Sequence, residues 1–590
     1  MKPLLLASLV AGVVGASIVM QAQQAPAFAQ VGSLARADQT ALPGGPPAGG
    51  PRGAAGPADM ILTNGKVITV DDQFSIAQAV AVRGDRIVAV GTNQEVTRLA
   101  GPSTRRIDLR GRSVMPGFID NHAHFQEEGA YWILELRFDG ITSRKQAWEL
   151  MRAKAQASGP GQWVYNLGGW SPDQFVEDKK LPTRDELDKY SPDNPVFLQA
   201  SRAETFINSK AIELLGLEKM NEPWIVRDAS GRATGVIAPG GGGRVRNLAK
   251  FLDAPNGGRA NLPADVIRAS SIAMLNDLNK AGLTASGGGC QFEALHRELK
   301  RMRFFCLNTP PGGRGAGAAE KQLALIPTLK YHDGDEWSDR TNWGENFPGG
   351  GADDLYSATQ QPVSQEQWDL FGRFAGEVAK AGIQAILHTQ TAENIDGKLT
   401  QLEKLQAQGI SVRPLRWMLM HMEGVTPPLL ERMKKLNLIV GVHPREMTTG
   451  GLLHRVHGDK AFAMPPLKEI QDSGIKWGLG TDAFEVNQFR PFQTLYWAVT
   501  GKMVGGMVVN RHPTTREAAL IAHTRSNAYI LFREADLGSI RSGFFADLIV
   551  TDRDYLTVPA EQIKDIRVQM TMIGGRIVYD AATEPAAATR

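Results

Sequence analysis

Two histidines stand two residues apart, His122 and His124, in the run Val114-Met115-Pro116-Gly117-Phe118-Ile119-Asp120-Asn121-His122-Ala123-His124. In an extended strand, residues i and i+2 share a face, so both imidazoles can be presented to one cation. Further along, His388, His421, His443 and Asp482 each follow a short apolar run. Neutral imidazoles and a carboxylate suit a divalent first-row metal, and a catalytic site of this kind keeps one position open for water. A bound ion brings that water's pKa from 15.7 to about 7, giving hydroxide near neutral pH. The chemistry expected is therefore hydrolytic. Hydroxide attacks a carbonyl whose oxygen leans on the ion, Asp482 takes the water's proton and hands it to the leaving group, and His443 polarises the carbonyl or binds substrate. The structural alternative for each histidine is a buried imidazole that merely caps backbone at a strand end. Asp120 is expected to hold the turn into the strand.

For these residues to meet, distant strand ends must converge. Ser364 with Gln367 predicts a capping-box helix start, an amphipathic helix to about Lys380, a stop at Gly382, and a buried strand from Ile383 to Leu387 that ends at His388. The unit repeats. A strand from Leu415 to Met420 ends at His421, a helix follows Pro428, a strand from Leu438 to Val442 ends at His443, and one from Ile475 to Gly480 leads to Asp482. In a parallel α/β barrel the C-terminal strand ends gather at one mouth, which makes these sequence-distant residues neighbours. The fold class predicted is α/β, a (β/α)8 TIM-like barrel over residues 115–535. That span exceeds a plain barrel of about 250 residues, so an α+β insertion is placed at about 155–270.

The chain ends have a different texture. Met60-Ile61-Leu62, Asn64-Gly65 and Val67 to Val70 predict one hairpin; Ala79 to Val82, Gly84-Asp85 and Ile87 to Val90 predict another. Ala546 to Val550 and a hairpin turning at Gly574-Gly575 repeat the pattern near the C-terminus. So few strands cannot bury a sheet face alone, and residues 59–114 with 536–582 are expected to pair as one composite β-sandwich. Residues 30–58, crowded with Ala, Gly and Pro, read as a flexible linker. Residues 1–29 read as a signal peptide: Lys2, an apolar run from Leu4 to Met20, and Ala27-Phe28-Ala29 as a cleavage site. The alternative is an uncleaved anchor. The expectation is a periplasmic or secreted protein with no stable membrane insertion after the signal is removed.

At 590 residues, two or three domains are expected. Charged residues make up 22% with net charge +3, and the basic ones are scattered, which argues against nucleic acid and for a small-molecule substrate. A homo-oligomer is left open. Cys290 and Cys306 can pair at most once and no C-x-x-C exists, so any metal must be held by His and carboxylate. The runs Gly240 to Gly243 and Gly287 to Gly289 lack the Lys-Ser/Thr ending of a phosphate loop and read as mobile loops over the mouth.

The stretch from Val114 to His124 closely resembles the first-strand signature of the amidohydrolase superfamily, and His388, His421 and Asp482 resemble its fifth-, sixth- and eighth-strand ligands. More narrowly the chain is similar to amidohydrolase family 3, the YtcJ-like branch. Gly169-Trp170, Pro182 to Asp188, Asn208-Ser209-Lys210-Ala211 and Thr234-Gly235-Val236 match that branch's inserted domain. The resemblance covers about residues 59–580. It implies hydrolysis of a carbon–nitrogen bond other than a peptide (N-acyl, formamide or carbamate-like), with a divalent cation, zinc the usual ion, as one or two ions. Several residues depart from it. The fourth-strand Lys that bridges two ions is missing, Lys330 falls one residue short, and Glu345 in Asn342-Trp343-Gly344-Glu345 is the substitute bridge. The insertion's His is replaced by Ala203, and the Glu before His421 by Met420. These departures keep two other readings open: a degenerate barrel acting as a substrate-binding protein, and a lactone or ester hydrolase or isomerase on the same metal site.

Overall fold

The computed structural model describes residues 56–201, 203–250, 262–308, 316–351 and 353–584. The expected signal peptide and nearly all of the expected linker lie outside the described residues.

Eight parallel strands form one sheet in chain order: β1 (Phe118–Ala123), β2 (Leu283–Gly288), β3 (Arg303–Leu307), β4 (Ser338–Glu345), β5 (Ala385–Thr389), β6 (Met418–His421), β7 (Ile439–Val442) and β8 (Trp477–Leu479). Runs such as Ile386-Leu387, Met418-Leu419-Met420 and Ile439-Val440 are buried without alternation, as parallel strands covered on both faces require. The first and last strands meet just past their ends. The Asp482 amide donates to the His122 carbonyl at 3.0 Å and the His124 amide to the Ala483 carbonyl at 2.8 Å, which brings the sheet round into a barrel. Ile119, Ala285, Phe305, Ile386, Met418 and Ile439, from six strands, share one buried cluster with Ala528 and Ile530 of the helix Arg525–Ile530. The helix Gln365–Lys380 starts at the predicted capping box, with Ser364 and Gln367 bonding reciprocally.

Both chain ends contribute to one six-stranded sheet, in which Ser113–Pro116 pairs antiparallel with Leu548–Thr551. It faces a four-stranded sheet across a core that includes Leu62, Val80, Val114, Leu548 and Met572. The hairpin expected at Asn64-Gly65 does not form: Ala58–Thr63 lies in the four-stranded sheet and Lys66–Ile68 in the other. The same tight turn carries the chain between layers, the first strand pairing with Ala79–Arg83 and Ala100–Asp108 and the second with Ile76–Ala77 and Ser113–Pro116. The expected hairpins at Gly84-Asp85 and Gly574-Gly575 do form. A buried Arg303–Asp547 ion pair, 2.7 and 3.0 Å, ties the six-stranded sheet to β3.

The insertion between β1 and β2 carries a five-stranded sheet from Val164–Asn166 to Ala233–Ile237. It opens earlier than position 155, since the helix Arg144–Ser158 packs Trp148 and Met151 onto that sheet, and it closes before Ala264–Lys280, the helix that feeds β2. Neither glycine run is a loop over the mouth. Gly287 and Gly288 end β2, where a Cβ at Gly288 would stand 1.8 Å from the Ala123 carbonyl oxygen, and Gly242 and Gly243 open the helix Gly242–Ala249. Cys290 and Cys306 form a disulfide with Cα atoms 5.4 Å apart. Among the described residues no helix is long and apolar enough to cross a membrane.

Candidate metal centre

The strand ends deliver the side chains. β1 presents His122 and ends one residue before His124; β4 ends on Glu345, β5 on His388-Thr389 and β6 on His421, while Asp482 follows β8. Two of these positions need unusual backbone. His421 has φ 74° and Asp482 φ 57°, a left-handed conformation uncommon outside glycine, and strain of this kind persists where surrounding structure enforces it. Asp120 bonds β1 to the end of β8: Oδ1 accepts from the His122 and Thr481 amides, both at 3.1 Å, and Oδ2 from the Thr481 hydroxyl at 2.6 Å.

Glu345 occupies the middle of the cluster. Its Oε2 lies 3.4 Å from His122 Nε2 and 3.8 Å from His124 Nε2, while Oε1 lies 2.9 Å from His388 Nδ1. His388 Nδ1 is in turn 2.9 Å from His421 Nε2. Two donor triads result, His122–His124–Glu345 and Glu345–His388–His421, each with its ligand atoms within 4.8 Å of one another. One carboxylate shared by two imidazole pairs is the geometry that brackets two cations. Asp482 Oδ1 stands beside the first triad, 3.2 Å from His124 Nε2 and 3.6 Å from His122 Nε2.

The residues fit such ions. His122 Nε2, which faces Glu345 and Asp482, is buried without a hydrogen-bond partner, a state that disfavours itself unless a cation takes its lone pair. With no cation, burial works against the charge on His122, yet Asp482 and Glu345 outweigh it and lift its pKa to about 9. Burial likewise opposes ionisation of Asp482 and Glu345, but the facing histidines hold both well below the usual carboxylate range. His122 and His421 are fully buried, whereas the His124, Glu345 and His388 side chains keep about a fifth of their surface exposed, so each triad is open to solvent on one side.

His443 stands beside the triads and in neither. Its ring centroid is 4.9 Å from that of His421, its Nε2 is 2.7 Å from Asn121 Oδ1, and burial drives its pKa well below the ordinary value. The remaining six histidines serve elsewhere: His523 bonds the Ile119 carbonyl, His512 pairs with Glu469, His457 bonds the Leu355 carbonyl, His454 bonds the Gly458 carbonyl, and His296 and His332 are packed on Phe304 and Phe532.

Three residues beyond the sequence-derived set support the site. Arg445, buried, places Nη2 3.2 Å from Asp482 Oδ2 and Nε 3.6 Å from Glu423 Oε1. It follows β7 as His443 does, and the rule that strand ends face the mouth also points to it. Lys398, buried, donates from Nζ to the His388 carbonyl and to Thr389 Oγ1 at 3.1 Å; burial lowers its pKa to about 8. Asp353 accepts from the Gln390 amide at 2.8 Å and the Thr391 hydroxyl at 2.7 Å. Neither Lys398 nor Asp353 carries a sequence signal: Lys398 reaches back ten residues from the helix Ala392–Ala407, and Asp353 reaches forward 37 and 38 residues to Gln390 and Thr391. The insertion reaches the same mouth: Ser201 Oγ donates to the Val486 carbonyl at 2.8 Å, and Arg246 pairs with Glu485 at 3.1 Å.

The model of the amidohydrolase family matches residues 105–579. An N-substituted formamide deformylase of Arthrobacter pascens is 26% identical over 566 residues, spanning 88% of this chain and 98% of its own. The putative amidohydrolase YtcJ of Bacillus subtilis is 22% identical over 556 residues, spanning 88% and 99%. Among solved structures, an uncharacterized metal-dependent hydrolase of Pyrococcus furiosus shares the fold with TM-score 0.58 and 21% identity, over 84% of this chain and 100% of that one. An adenosine deaminase of Xanthomonas campestris with bound zinc does so with TM-score 0.52 and 14% identity, over 91% and 96%.

Proposed function

The chain belongs to the amidohydrolase family, and from that premise we propose that it hydrolyses a non-peptide carbon–nitrogen bond in a small N-acyl, formamide or carbamate-like molecule. The observation that carries this reading is the single Glu345 carboxylate set between the pairs His122/His124 and His388/His421, with Asp482 on its flank. The formamide deformylase named above, matched over nearly its whole length, supports the substrate class.

His122, His124, His388, His421 and Glu345 would hold two divalent cations, for which zinc is the proposal, and Asp482 would complete the first set. Such ions lower the pKa of water from 15.7 to about 7 and polarise a carbonyl oxygen. Asp482 then serves as the proton carrier. As the water oxygen bonds to the carbonyl carbon, the carboxylate takes a water proton, and it returns that proton to nitrogen as the carbon–nitrogen bond breaks. Arg445 fixes the far oxygen of Asp482, which keeps Oδ1 turned to His122 and His124. We further propose export by way of residues 1–29; the Cys290–Cys306 disulfide agrees with folding in an oxidising compartment.

The test is the metal content of the purified mature protein by elemental mass spectrometry, beside a His122→Ala/His124→Ala variant and a panel of N-alkylformamides, N-acyl amines and carbamates. About two ions per chain, lost with the variant together with turnover, is the expected result. A protein that takes up no zinc, manganese or iron on reconstitution would overturn the mechanism.

A further inference from the structure

Glu128 closes the short helix Phe125–Glu128 that follows His124, and its carboxylate reaches the chain that follows Asp482. One oxygen, Oε2, accepts from two successive backbone amides, those of Phe484 and, at 2.8 Å, Glu485. The side chain is buried, with the residue only 2% exposed, so the carboxylate has given up water, and two donors converging on one anionic oxygen are the compensation such burial requires. Its own amide donates to the His124 carbonyl at 2.8 Å. Glu128 is thus bonded to His124 through its backbone and to the turn after Asp482 through its side chain.

The insertion seats the same turn from the other side. The Gly169 amide donates to the Glu485 carbonyl at 3.0 Å, and Ser201 Oγ to the Val486 carbonyl at 2.8 Å. A Cβ on Gly168 would stand 1.8 Å from the Glu485 carbonyl oxygen, and one on Gly169 2.8 Å from that of Phe484, so only glycine lets the two chains approach this closely. Glu485 therefore gives its carbonyl to the insertion and its amide to Glu128. Asn487 closes the turn, its side chain donating to the Thr481 carbonyl at 3.0 Å.

Asp482 depends on this seating. Its φ of 57° is a conformation that surrounding bonds must enforce, and its Oδ1 stands 3.2 Å from His124 Nε2. Without the Glu128 carboxylate, the Phe484 and Glu485 amides are left without this acceptor in a buried stretch of chain, and the turn must shift to find another. We propose that Glu128 is a positioning residue for the hydrolysis: by tying the turn after Asp482 to the helix after His124, it holds the Asp482 carboxylate at the spacing from His124 that proton transfer needs. Arg445 sets which oxygen of Asp482 faces the histidines; Glu128 sets how far away that oxygen stands. This role rests on the amide-hydrolase reading above and adds a residue to its machinery.

The test compares Glu128→Leu and Glu128→Gln with the wild type, each as full-length, metal-loaded protein. Glu128→Leu should lower kcat for N-butylformamide about 10- to 100-fold with KM and metal content unchanged, the scale on which residues behind metal ligands act. Hydrogen exchange in the peptide that carries Phe484 and Glu485, read by mass spectrometry, should quicken about tenfold or more, because a bond to a charged acceptor is lost. Glu128→Gln keeps a neutral acceptor in the same place, so both readouts should fall between the other two. If the leucine variant does not fold, the glutamine variant carries the comparison with the wild type. Exchange as slow as in the wild type overturns the clamp, and faster exchange with unchanged kcat overturns its part in hydrolysis. If the wild type turns over no amide, the hydrolase reading falls by itself and cobalt(II)-loaded protein decides the role of Glu128. A visible spectrum altered together with faster exchange upholds positioning at the metal centre; an unaltered spectrum overturns it.

Discussion

The two oxygens of Asp482 have different neighbours: Arg445 Nη2 lies 3.2 Å from Oδ2, and His124 Nε2 lies 3.2 Å from Oδ1. A carboxylate held on one side by a buried guanidinium cannot rotate freely, so the oxygen left for proton transfer is always the same one. Arg445→Met should therefore lower kcat about 10- to 100-fold with little change in KM or metal content, the scale typical of residues that orient metal ligands. Arg445→Lys should recover only part, since an ammonium lacks the forked geometry. Steady-state kinetics with parallel metal analysis checks both.

Glu345→Gln should leave a protein with about one ion per chain in place of two. The amide keeps one weak acceptor where the carboxylate offered an oxygen to each imidazole pair. Metal-to-protein ratios after dialysis measure this directly, and an unchanged ratio would remove Glu345 from the bridge.

Lys398→Met should weaken the second triad more than the first. Nζ bonds the His388 carbonyl and Thr389, and the variant leaves buried acceptors unmet, a loss of about 1–3 kcal/mol. Chelator titration should release one ion at lower chelator concentration than in the wild type, with the other little affected.

Stability of the metal-free protein should peak on the acid side of neutrality. His122 is raised from 6.5 to about 9, so its contribution is complete below pH 6.5 and is lost as pH rises through 9. Glu423 is raised by burial from 4.5 to about 8, so stability falls over the window 4.5–8, where the unfolded chain gives up this proton and the folded one keeps it. Asp482 and Glu345 are depressed, so their contribution is present above the ordinary carboxylate range and disappears as pH falls below it. Added metal should reverse the alkaline slope, because ions compete with the proton on His122. Melting temperatures of chelated and reconstituted protein across pH 4–9 would show the two opposite slopes.

Gly478→Ala should destabilise by about 1–3 kcal/mol, the usual penalty for forcing volume into a packed interior, since its Cβ would overlap Asn527. Chemical denaturation reads the change.

Much of the site was legible because its residues obey local rules. The two-residue spacing of His122 and His124 needs only strand periodicity, and His388, His421, His443 and Asp482 were found by where apolar runs stop. Glu345 was reached only through the family resemblance, as the substitute for the missing fourth-strand Lys; that it faces both histidine pairs depends on barrel closure. Arg445 stands where the same strand-end rule would have placed it, yet its partner Asp482 is 37 residues away. Lys398, Asn527 and the sheet change at Asn64-Gly65 were invisible for a different reason. A buried lysine, an asparagine in a helix and a two-residue turn look the same in sequence whichever partner they meet.

The bonds that join β1 to β8 are made by the backbone of His122, His124 and Asp482 themselves. The last of these is synthesised 360 residues after the first, so a growing chain can fold its early strands and still lack a complete donor set. Hydrolytic competence therefore requires the final strand to be seated against the first. The reverse also holds: any fluctuation that parts this seam dismantles the chemistry before the rest of the protein has lost its shape. Hydrogen exchange at the His124 and Asp482 amides would thus report the lifetime of the working enzyme more faithfully than its global unfolding does.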